Sequence, residues 1–357
     1  MKKIFFTPGP TQLYDFVPEM IEDAIRKNIP SLSHRGKEFE EIFRHTTSSI
    51  KHLLGIPDNF HIFFLSSGTE AMERVIENCA EKCSFHFVNG AFSERFYQTA
   101  LELRKSAVKI EAKAGKGFDF LSVKIPDETE LICFTHNETS TGVAINMDGV
   151  YRIKRKNPEK IIAVDIVSSA PYVNIDYSLI DCAFFSVQKG FGMPAGLGVI
   201  IVNGRCIDKS RCLMEKGCNI GSYHSFVSLL KHAEKNQTPE TPNVLGIYLL
   251  GKVCDELNKI GIEKTRKETE KKAEMVYDFF DNHPKYKPFV EDEHLRSKTV
   301  IAISTANSSE VIKTLSKQGF IVGSGYKDFK EKQIRIANFP MHKIEDVNGL
   351  LKVLGTI

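Results

Sequence analysis

Cys182-Ala-Phe-Phe-Ser186-Val-Gln188-Lys189-Gly190-Phe-Gly192-Met-Pro-Ala-Gly196-Leu-Gly198 is the stretch that decides the fold. An apolar run, typical of a buried strand, ends on a lysine, and a turn rich in glycine follows. The preceding apolar run, Ile161-Ile-Ala-Val-Asp165, also ends on a charged residue. Runs of Ile, Val and Phe without polar alternation indicate a sheet covered on both faces. In such sheets, sites form at the carboxyl ends of strands, where Asp165 and Lys189 stand.

Strand and helix patterns alternate through the first two thirds of the chain. An apolar run at 61–65 precedes an amphipathic helical pattern at 69–79. Further apolar runs predict strands at 85–88, 131–134, 161–164, 182–186 and 198–202. This alternation predicts an α/β domain built on a large doubly wound sheet, either parallel or mixed.

The pattern changes near Leu245. A long charged helical pattern runs from Gly246 to about Asn282 and is interrupted by Gly261. Shorter strand and helix signals follow as far as the last helix, which begins near Lys343. We predict three parts: an N-terminal segment near the active site (1–15), a large domain (16–245) and a small C-terminal α+β domain (246–357).

Composition excludes several classes of protein. The 357 residues are 42% hydrophobic and 26% charged, which is ordinary for a globular enzyme. A net charge of +3 gives no reason to expect nucleic acid or a membrane surface as partner. The eight cysteines form no CxxC pair, so they indicate reduced residues of a cytoplasmic protein and predict no metal site. The start, Met1-Lys-Lys-Ile-Phe-Phe, is charged like a signal sequence, but Pro8-Gly-Pro10 interrupts its apolar run.

A lysine and an aspartate at neighbouring strand ends are the two groups that a pyridoxal phosphate enzyme requires. The lysine forms a Schiff base with the cofactor aldehyde, and the carboxylate keeps the pyridine nitrogen protonated. Taken alone, Lys189 could be a surface charge and Asp165 a helix cap. Ser186-x-x-Lys189 also matches part of a penicillin-binding motif, but its companion motifs are missing.

Six further motifs, in this order and spacing, make the chain resemble the class V aminotransferases of the fold-type-I pyridoxal phosphate superfamily. They are Phe6-Thr-Pro-Gly-Pro10, Ser33-His-Arg-Gly36, Ser66-Ser-Gly-Thr69, Asn89-Gly-Ala-Phe92, Thr135-His-Asn-Glu-Thr139 and Arg335-Ile-Ala-Asn338. The resemblance implies a transaminase that uses pyridoxal 5'-phosphate, acts on small amino acids and 2-oxo acids, and forms a homodimer with active sites at its interface.

The resemblance also assigns cofactor-binding residues. Lys189 and Asp165 become the catalytic pair. The other positions that it assigns to cofactor binding are Ser67, Gly68, Thr69, Phe92, Thr139, Ser168, Gln188 and, from a neighbouring subunit, Thr241. From the residues alone, purely structural roles remain open, since Ser67 could cap a helix and Phe92 could belong to a hydrophobic core.

Substrate-binding residues follow from the resemblance in the same way. They are Gly9, His34, Arg35 and Arg335. The resemblance implies that Arg335 binds the α-carboxylate of the amino acid and that the His34-Arg35 pair lies near a substrate phosphate. From the residues alone, Arg335 could form a surface salt bridge and His34-Arg35 could be a loop pair. The chain departs from phosphoserine aminotransferases where Gly323-Ser-Gly-Tyr-Lys-Asp replaces a second His-Arg pair and Ser-Gly-Thr replaces Gly-Gly-Arg.

The leading functional interpretation is a phosphoserine aminotransferase-like enzyme of serine biosynthesis, which converts O-phosphoserine and 2-oxoglutarate to 3-phosphohydroxypyruvate and glutamate. An alanine/serine-glyoxylate aminotransferase is the alternative. A lyase of the same fold, such as a cysteine desulfurase, is less favoured because Gln188 stands where desulfurases carry histidine. A non-enzymatic binding protein is disfavoured by the intact catalytic pair. A nicotinamide-binding protein is disfavoured because no GxGxxG fingerprint is present.

Overall fold

The structure is a computed structural model and describes residues 3–357. Met1 and Lys2, the start of the segment compared above with a signal sequence, lie outside the described residues. The strands are β1 (Ile4–Phe6), β2 (Phe60–Leu65), β3 (Cys83–Val88), β4 (Ser106–Glu111), β5 (Leu131–Thr135), β6 (Asn137–Glu138), β7 (Val143–Ala144), β8 (Ile161–Asp165), β9 (Cys182–Ser186), β10 (Gly198–Asn203), β11 (Lys287–Pro288), β12 (Val300–Ser304), β13 (Phe320–Ser324) and β14 (Gln333–Ala337).

Eleven helices accompany these strands within residues 3–357. They are α1 (Val17–Arg26), α2 (Lys37–Leu54), α3 (Gly68–Cys79), α4 (Ala91–Glu102), α5 (Met147–Lys156), α6 (Gly204–Glu215), α7 (Phe226–Ala233), α8 (Val244–Ile260), α9 (Ile262–Asp281), α10 (Ser308–Lys317) and α11 (Ile344–Leu354). The helical break predicted at Gly261 is confirmed: this residue separates α8 from α9 and has a φ of 89°. A positive φ of this kind is readily adopted only by glycine.

The larger sheet has seven strands in the order β2-β10-β9-β8-β5-β3-β4. Its strands are parallel from β9 to β4, whereas β10 runs antiparallel to both β9 and β2. The prediction of a doubly wound, mixed or parallel sheet is therefore confirmed. Strands β2, β3, β5, β8 and β9 all point the same way, so their carboxyl ends share one edge.

Helices cover both faces of this sheet, which explains why its central strands are apolar on both sides. Phe63 packs into one core with helices α3, α6 and α7, while the next residue, Phe64, packs into another core with α2 and α8. Alternate side chains of a strand point to opposite faces, so an uninterrupted apolar strand needs a cover on each side.

A second sheet of five strands, in the order β1-β13-β14-β12-β11, has its own core with α9, α10 and α11. The N-terminal strand β1 joins this C-terminal sheet, where Ile4 pairs with Phe320 in parallel register. Helix α8 packs against α2 and shares the core of the larger sheet. The domain boundaries at 15/16 and 245/246 remain predictions. Among residues 3–357, no helix combines the length and hydropathy that crossing a bilayer requires.

Candidate active site

A cavity of about 380 Å³ opens at the carboxyl edge of the larger sheet and is lined by residues of both sheets. Its volume lies in the range of small-molecule and cofactor sites. Ten of the residues predicted from the sequence line it: Gly9, Ser67, Gly68, Thr69, Phe92, Thr139, Asp165, Gln188, Lys189 and Arg335. Residues from seven separate segments of the chain therefore converge on one space.

Lys189 is buried at the base of this cavity, with 5% of its surface exposed. Its Nζ donates hydrogen bonds to Thr139 Oγ1 at 2.9 Å and to Ser168 Oγ at 2.8 Å. Burial lowers the pKa of the Lys189 ammonium, and the nearby negative charges of Asp165 and Glu138 oppose this shift. The structure thus brings Ser168 to the site through Lys189.

Asp165 ends β8 and lies in the same cavity, with 4% of its surface exposed. Its Oδ1 accepts a hydrogen bond from the backbone N–H of Val167 at 2.8 Å. Burial raises the pKa of this carboxyl, while the Val167 N–H and the Lys189 ammonium act in the opposite direction. A buried carboxylate and a buried ammonium facing one cavity are typical of a functional site.

The N-terminus of α3 provides a place for an anion on another wall of the cavity. Ser67 caps the helix, because its Oγ accepts a hydrogen bond from the Glu70 N–H at 3.1 Å. The Gly68 N–H donates to Ser186 Oγ at 2.6 Å, and a Cβ on Gly68 would lie only 2.8 Å from Val167 Cγ2. Helix capping and anion binding are compatible, since a helix N-terminus carries partial positive charge and free N–H groups.

Phe92 lies above Lys189, with its ring centre 5.0 Å from Nζ. The position of Phe92 depends on Glu138, which is fully buried. The Glu138 carboxylate accepts hydrogen bonds from the backbone N–H groups of Phe92, Ser93 and Ser140 and from the hydroxyls of Ser93 and Ser140. A carboxylate at the start of α4 also interacts favourably with the helix dipole. Glu138 therefore holds the segment that presents the Phe92 ring to the cavity.

Arg335 lies on β14 of the smaller sheet and extends into the cavity. Its Nε donates to the Ser324 carbonyl at 2.8 Å and its Nη1 to the Thr139 carbonyl at 3.0 Å. No acceptor among residues 3–357 bonds to Nη2, so this nitrogen remains available to a ligand. The Tyr326 ring packs beside the guanidinium, with 5.5 Å between the ring centre and Cζ. Tyr326 also meets the ring of Phe92, at 5.7 Å between centroids.

Gly9 brings the N-terminal segment against Lys189. It has a φ of +137°, and a Cβ at this position would lie 2.8 Å from Lys189 Cε. A side chain at residue 9 would therefore press on the lysine and reduce the space around its amine. This packing explains why glycine suits residue 9.

Three predicted residues lie elsewhere in the chain. Arg35 donates hydrogen bonds to the carbonyls of Thr238 and Pro239, at 2.6 and 2.9 Å, and to Gln237 Oε1 at 3.1 Å. His34 and Thr241, like Arg35, do not line the cavity. The pair 34–35 thus sits beside the segment 237–241 on a surface of the chain.

Comparisons with known proteins agree with this geometry. Residues 4–337 match the family model of the class V aminotransferases. The chain belongs to the class V aminotransferases. This aminotransferase is 46% identical to a structure described as a phosphoserine aminotransferase from Cytophaga hutchinsonii, with a TM-score of 0.97 and coverage of 99% and 98% of the two chains. It is 26% identical to a phosphoserine aminotransferase of Rhodococcus opacus, over 99% of this chain and 94% of that protein.

An alanine-glyoxylate aminotransferase from Nostoc sp., at 19% identity and a TM-score of 0.83, shares the fold over all of this chain and 95% of that one. The family and its relatives establish that this aminotransferase is a pyridoxal phosphate-dependent transaminase.

The residues of the cavity fit pyridoxal phosphate. Lys189 offers an amine for the cofactor aldehyde, and Asp165 offers a carboxylate for the ring nitrogen. Ser67, Gly68 and Thr69 at the start of α3 suit a phosphate, and Phe92 offers an aromatic face. Gly9 leaves open the space that a Cβ would fill beside Lys189.

Sequence reasoning missed two residues of the site. Glu138 lies within the quoted motif Thr135-His-Asn-Glu-Thr139, and an acid flanked by small polar residues was the available signal. Two of its three partner residues, Phe92 and Ser93, are 46 and 45 residues away in the chain, so only the fold reveals these contacts. Tyr326 stands in Gly323-Ser-Gly-Tyr-Lys-Asp, and no local signal in the sequence indicates that its ring contacts Arg335 and Phe92.

Proposed function

We propose that this aminotransferase moves the amino group of O-phosphoserine to 2-oxoglutarate. The supporting observation is the 46% identity, over nearly the full length of both chains, with a protein described as a phosphoserine aminotransferase. The curated relatives at 25–26% identity carry the same name, some of them as a putative assignment. The free thiols of all eight cysteines are consistent with the cytoplasmic location that forms part of this proposal.

Bound pyridoxal phosphate supplies an aldehyde that condenses with amines and a ring that withdraws electrons. Lys189 is the group that moves the proton at the substrate Cα. Its Nζ is held by two hydroxyls, and burial shifts its pKa toward the working range of an acid-base catalyst. Asp165 stabilises positive charge on the cofactor ring, since its carboxylate is buried and opposes that charge.

Arg335 binds the α-carboxylate of the amino acid. Two backbone carbonyls hold its guanidinium through Nε and Nη1, Nη2 has no acceptor in the described chain, and the residue lines the cavity. A guanidinium that is already oriented loses little side-chain entropy when it binds a planar carboxylate. This contact is common to every amino donor and so cannot select phosphoserine.

Selection of phosphoserine falls to His34 and Arg35, which act on the active site of a neighbouring copy. In its own chain, Arg35 braces the segment that leads to Thr241, and neither residue lines the cavity. A two-fold dimer would deliver this surface to the partner's cavity and the partner's surface to this one. Homodimerisation is thus part of the proposal.

A second candidate function, alanine or serine with glyoxylate, is favoured by one observation. Tyr326 lies beside Arg335, in the segment where phosphoserine aminotransferases are expected to carry a second His-Arg pair. An aromatic wall there narrows the cavity and removes two cationic groups. Such a pocket would suit a small uncharged side chain.

The two candidates are separated by kcat/KM for O-phosphoserine, serine and alanine, with 2-oxoglutarate or glyoxylate as acceptor. We expect O-phosphoserine with 2-oxoglutarate to give the highest value. Borohydride reduction of the holoenzyme should attach the cofactor to Lys189, and peptide mapping will locate the label. Preference for alanine with glyoxylate would replace the proposed substrate and leave the transaminase assignment intact.

Hybrid dimers test whether Arg35 acts across an interface. Lys189→Ala and Arg35→Ala subunits are each prepared, mixed and allowed to exchange. If Arg35 serves the partner's cavity, each hybrid dimer has one intact site, so about a quarter of all sites should turn over O-phosphoserine. If Arg35 serves its own cavity, both sites of the hybrid are defective and the mixture stays as inactive as its components.

A further inference from the structure

A second polar cavity, of about 530 Å³, lies on the smaller sheet. It is lined by Lys285, Lys287 and Lys332 together with Gln333 and the ring of Phe329, and no acidic residue of the described chain lines it. Neither Lys287 nor Lys332 forms an ion pair within residues 3–357; the Nζ of Lys287 donates instead to the Asp281 backbone carbonyl, at 3.0 Å. The cavity therefore carries positive charge that the protein does not neutralise.

Gln333 makes this cavity different from an ordinary basic surface. Its side chain is 1% exposed, yet neither Nε2 nor Oε1 has a hydrogen-bond partner in the described part of the chain. Leaving both polar ends of a buried amide without partners is unfavourable, because the hydrogen bonds lost to water are not replaced. A group supplied from outside the chain would remove this cost, and it must present an acceptor to Nε2 and a donor to Oε1.

The same segment that borders this cavity also borders the active site. Tyr326 lines the active cavity, whereas Phe329, Lys332 and Gln333 line the basic one. Backbone hydrogen bonds tie the two ends together, because the Gly325 N–H donates to the Gln333 carbonyl at 2.8 Å. The Phe329 N–H donates to the Tyr326 carbonyl at 3.0 Å. Anything that holds Lys332 and Gln333 in place will also restrict the position of Tyr326.

We propose that this cavity is a binding site for a small anionic metabolite, a phosphate ester or a carboxylate that also carries a hydroxyl or amino group. Its anion lies between Lys287 and Lys332, and its polar group satisfies the Gln333 amide. Occupancy orders the segment 325–332 and thereby sets the position of Tyr326 beside Arg335. The binding site is independent of the proposed function, whereas the effect on turnover rests on it.

Binding is measured first on the holoenzyme, by isothermal titration with orthophosphate and separately with malate as probes, since each carries both an anionic group and a hydroxyl. Lys332→Gln and Gln333→Leu should each weaken binding at least about tenfold, because each removes a direct contact to the anion or to its polar group. Lys317→Gln, which removes an exposed lysine from α10 of the same domain, is the matched control and should bind normally. Arg335→Ala should also bind normally, which separates this site from the active cavity.

Gln333→Leu keeps the test independent of folding. Replacing an unpartnered buried amide with an apolar side chain of similar shape is neutral or stabilising, so this variant should melt at or above the temperature of the unmodified enzyme. Loss of anion binding in a variant of undiminished stability is a result that a purely structural role for Gln333 does not produce.

Crystals soaked in selenate locate the anion directly, through anomalous scattering. A peak between Lys287 and Lys332 that is absent from Gln333→Leu supports the site. Unchanged binding in both variants overturns it. A selenate peak without saturable titration would mean an adventitious ion only, and would overturn it too. Coupling between the basic cavity and the active cavity is measured as a change in KM for the amino donor when the probe is present. This change should be absent in Gln333→Leu. A transaminase whose substrate differs from our proposal would still show the binding.

Discussion

Replacing Glu138 with glutamine should disturb the active site while leaving the fold intact. The Glu138 carboxylate accepts from five donors, which are the N–H groups of Phe92, Ser93 and Ser140 and the hydroxyls of Ser93 and Ser140. Glutamine keeps one oxygen and turns an NH₂ group toward the donors on the other side. A serine hydroxyl can rotate to accept from that group, but a backbone N–H cannot. One buried N–H is therefore left facing another donor.

The expected loss of stability in Glu138→Gln follows from the one backbone N–H that is left without an acceptor. An unsatisfied buried N–H costs about 1–3 kcal/mol. In a chain of this length, such a loss lowers Tm by only about 1–4 °C. The local consequence should be larger, because the affected donors begin α4 and carry Phe92, whose ring centre lies 5.0 Å from Lys189 Nζ. We expect weaker cofactor binding and a changed visible circular dichroism of the bound cofactor.

The assay compares Glu138→Gln with Glu128→Gln, which removes the same charge from an exposed residue. Melting temperatures, cofactor dissociation constants and circular dichroism spectra are measured for both variants. The control should match the unmodified enzyme in all three. If Glu138→Gln also matches it in cofactor affinity and spectrum, Glu138 does not position Phe92 and our account of this wall of the cavity is wrong.

Two other perturbations have expected outcomes. Arg335→Ala should lower kcat/KM at least about 30-fold for every amino donor alike, since losing a buried arginine-carboxylate contact costs ~2–5 kcal/mol. The control is Arg44→Ala, which removes an exposed arginine and should leave kcat/KM unchanged. An effect confined to one donor would contradict the role proposed for Arg335. Burial lowers the pKa of His224, but the facing Glu240 and Glu70 carboxylates outweigh burial and raise it to about 9. The stability that protonated His224 contributes is fully present below pH ~6.5 and is lost as the pH rises through about 9. Urea denaturation should therefore show the free energy of unfolding falling across this pH range. This fall should be absent in His224→Gln.

Local patterns predicted the elements that are buried on both sides. Strands β5, β8 and β9 are continuous apolar runs because helices cover both faces of the sheet, and such runs are visible without knowledge of the partners. Strand β4 was not predicted, because it lies at the edge of the sheet and its half-buried or exposed residues form no continuous apolar run. Strand β1 has three residues and is a strand because it pairs with β13, more than 300 residues away in the chain.

The sequence by itself predicted that Asp165 and Lys189 lie together, since Asp165 ends one apolar strand, Lys189 follows the next, and the ends of parallel strands share one edge of the sheet. It could not determine which distant polar groups would meet. Thr139 and Arg335 are 196 residues apart, and their hydrogen bond exists because the smaller sheet docks at the carboxyl edge of the larger one. The burial of Glu138 and the unpartnered amide of Gln333 likewise depend on packing between elements. Periodicity reports which face of an element is apolar, whereas the neighbour that covers this face is decided only when the whole chain packs.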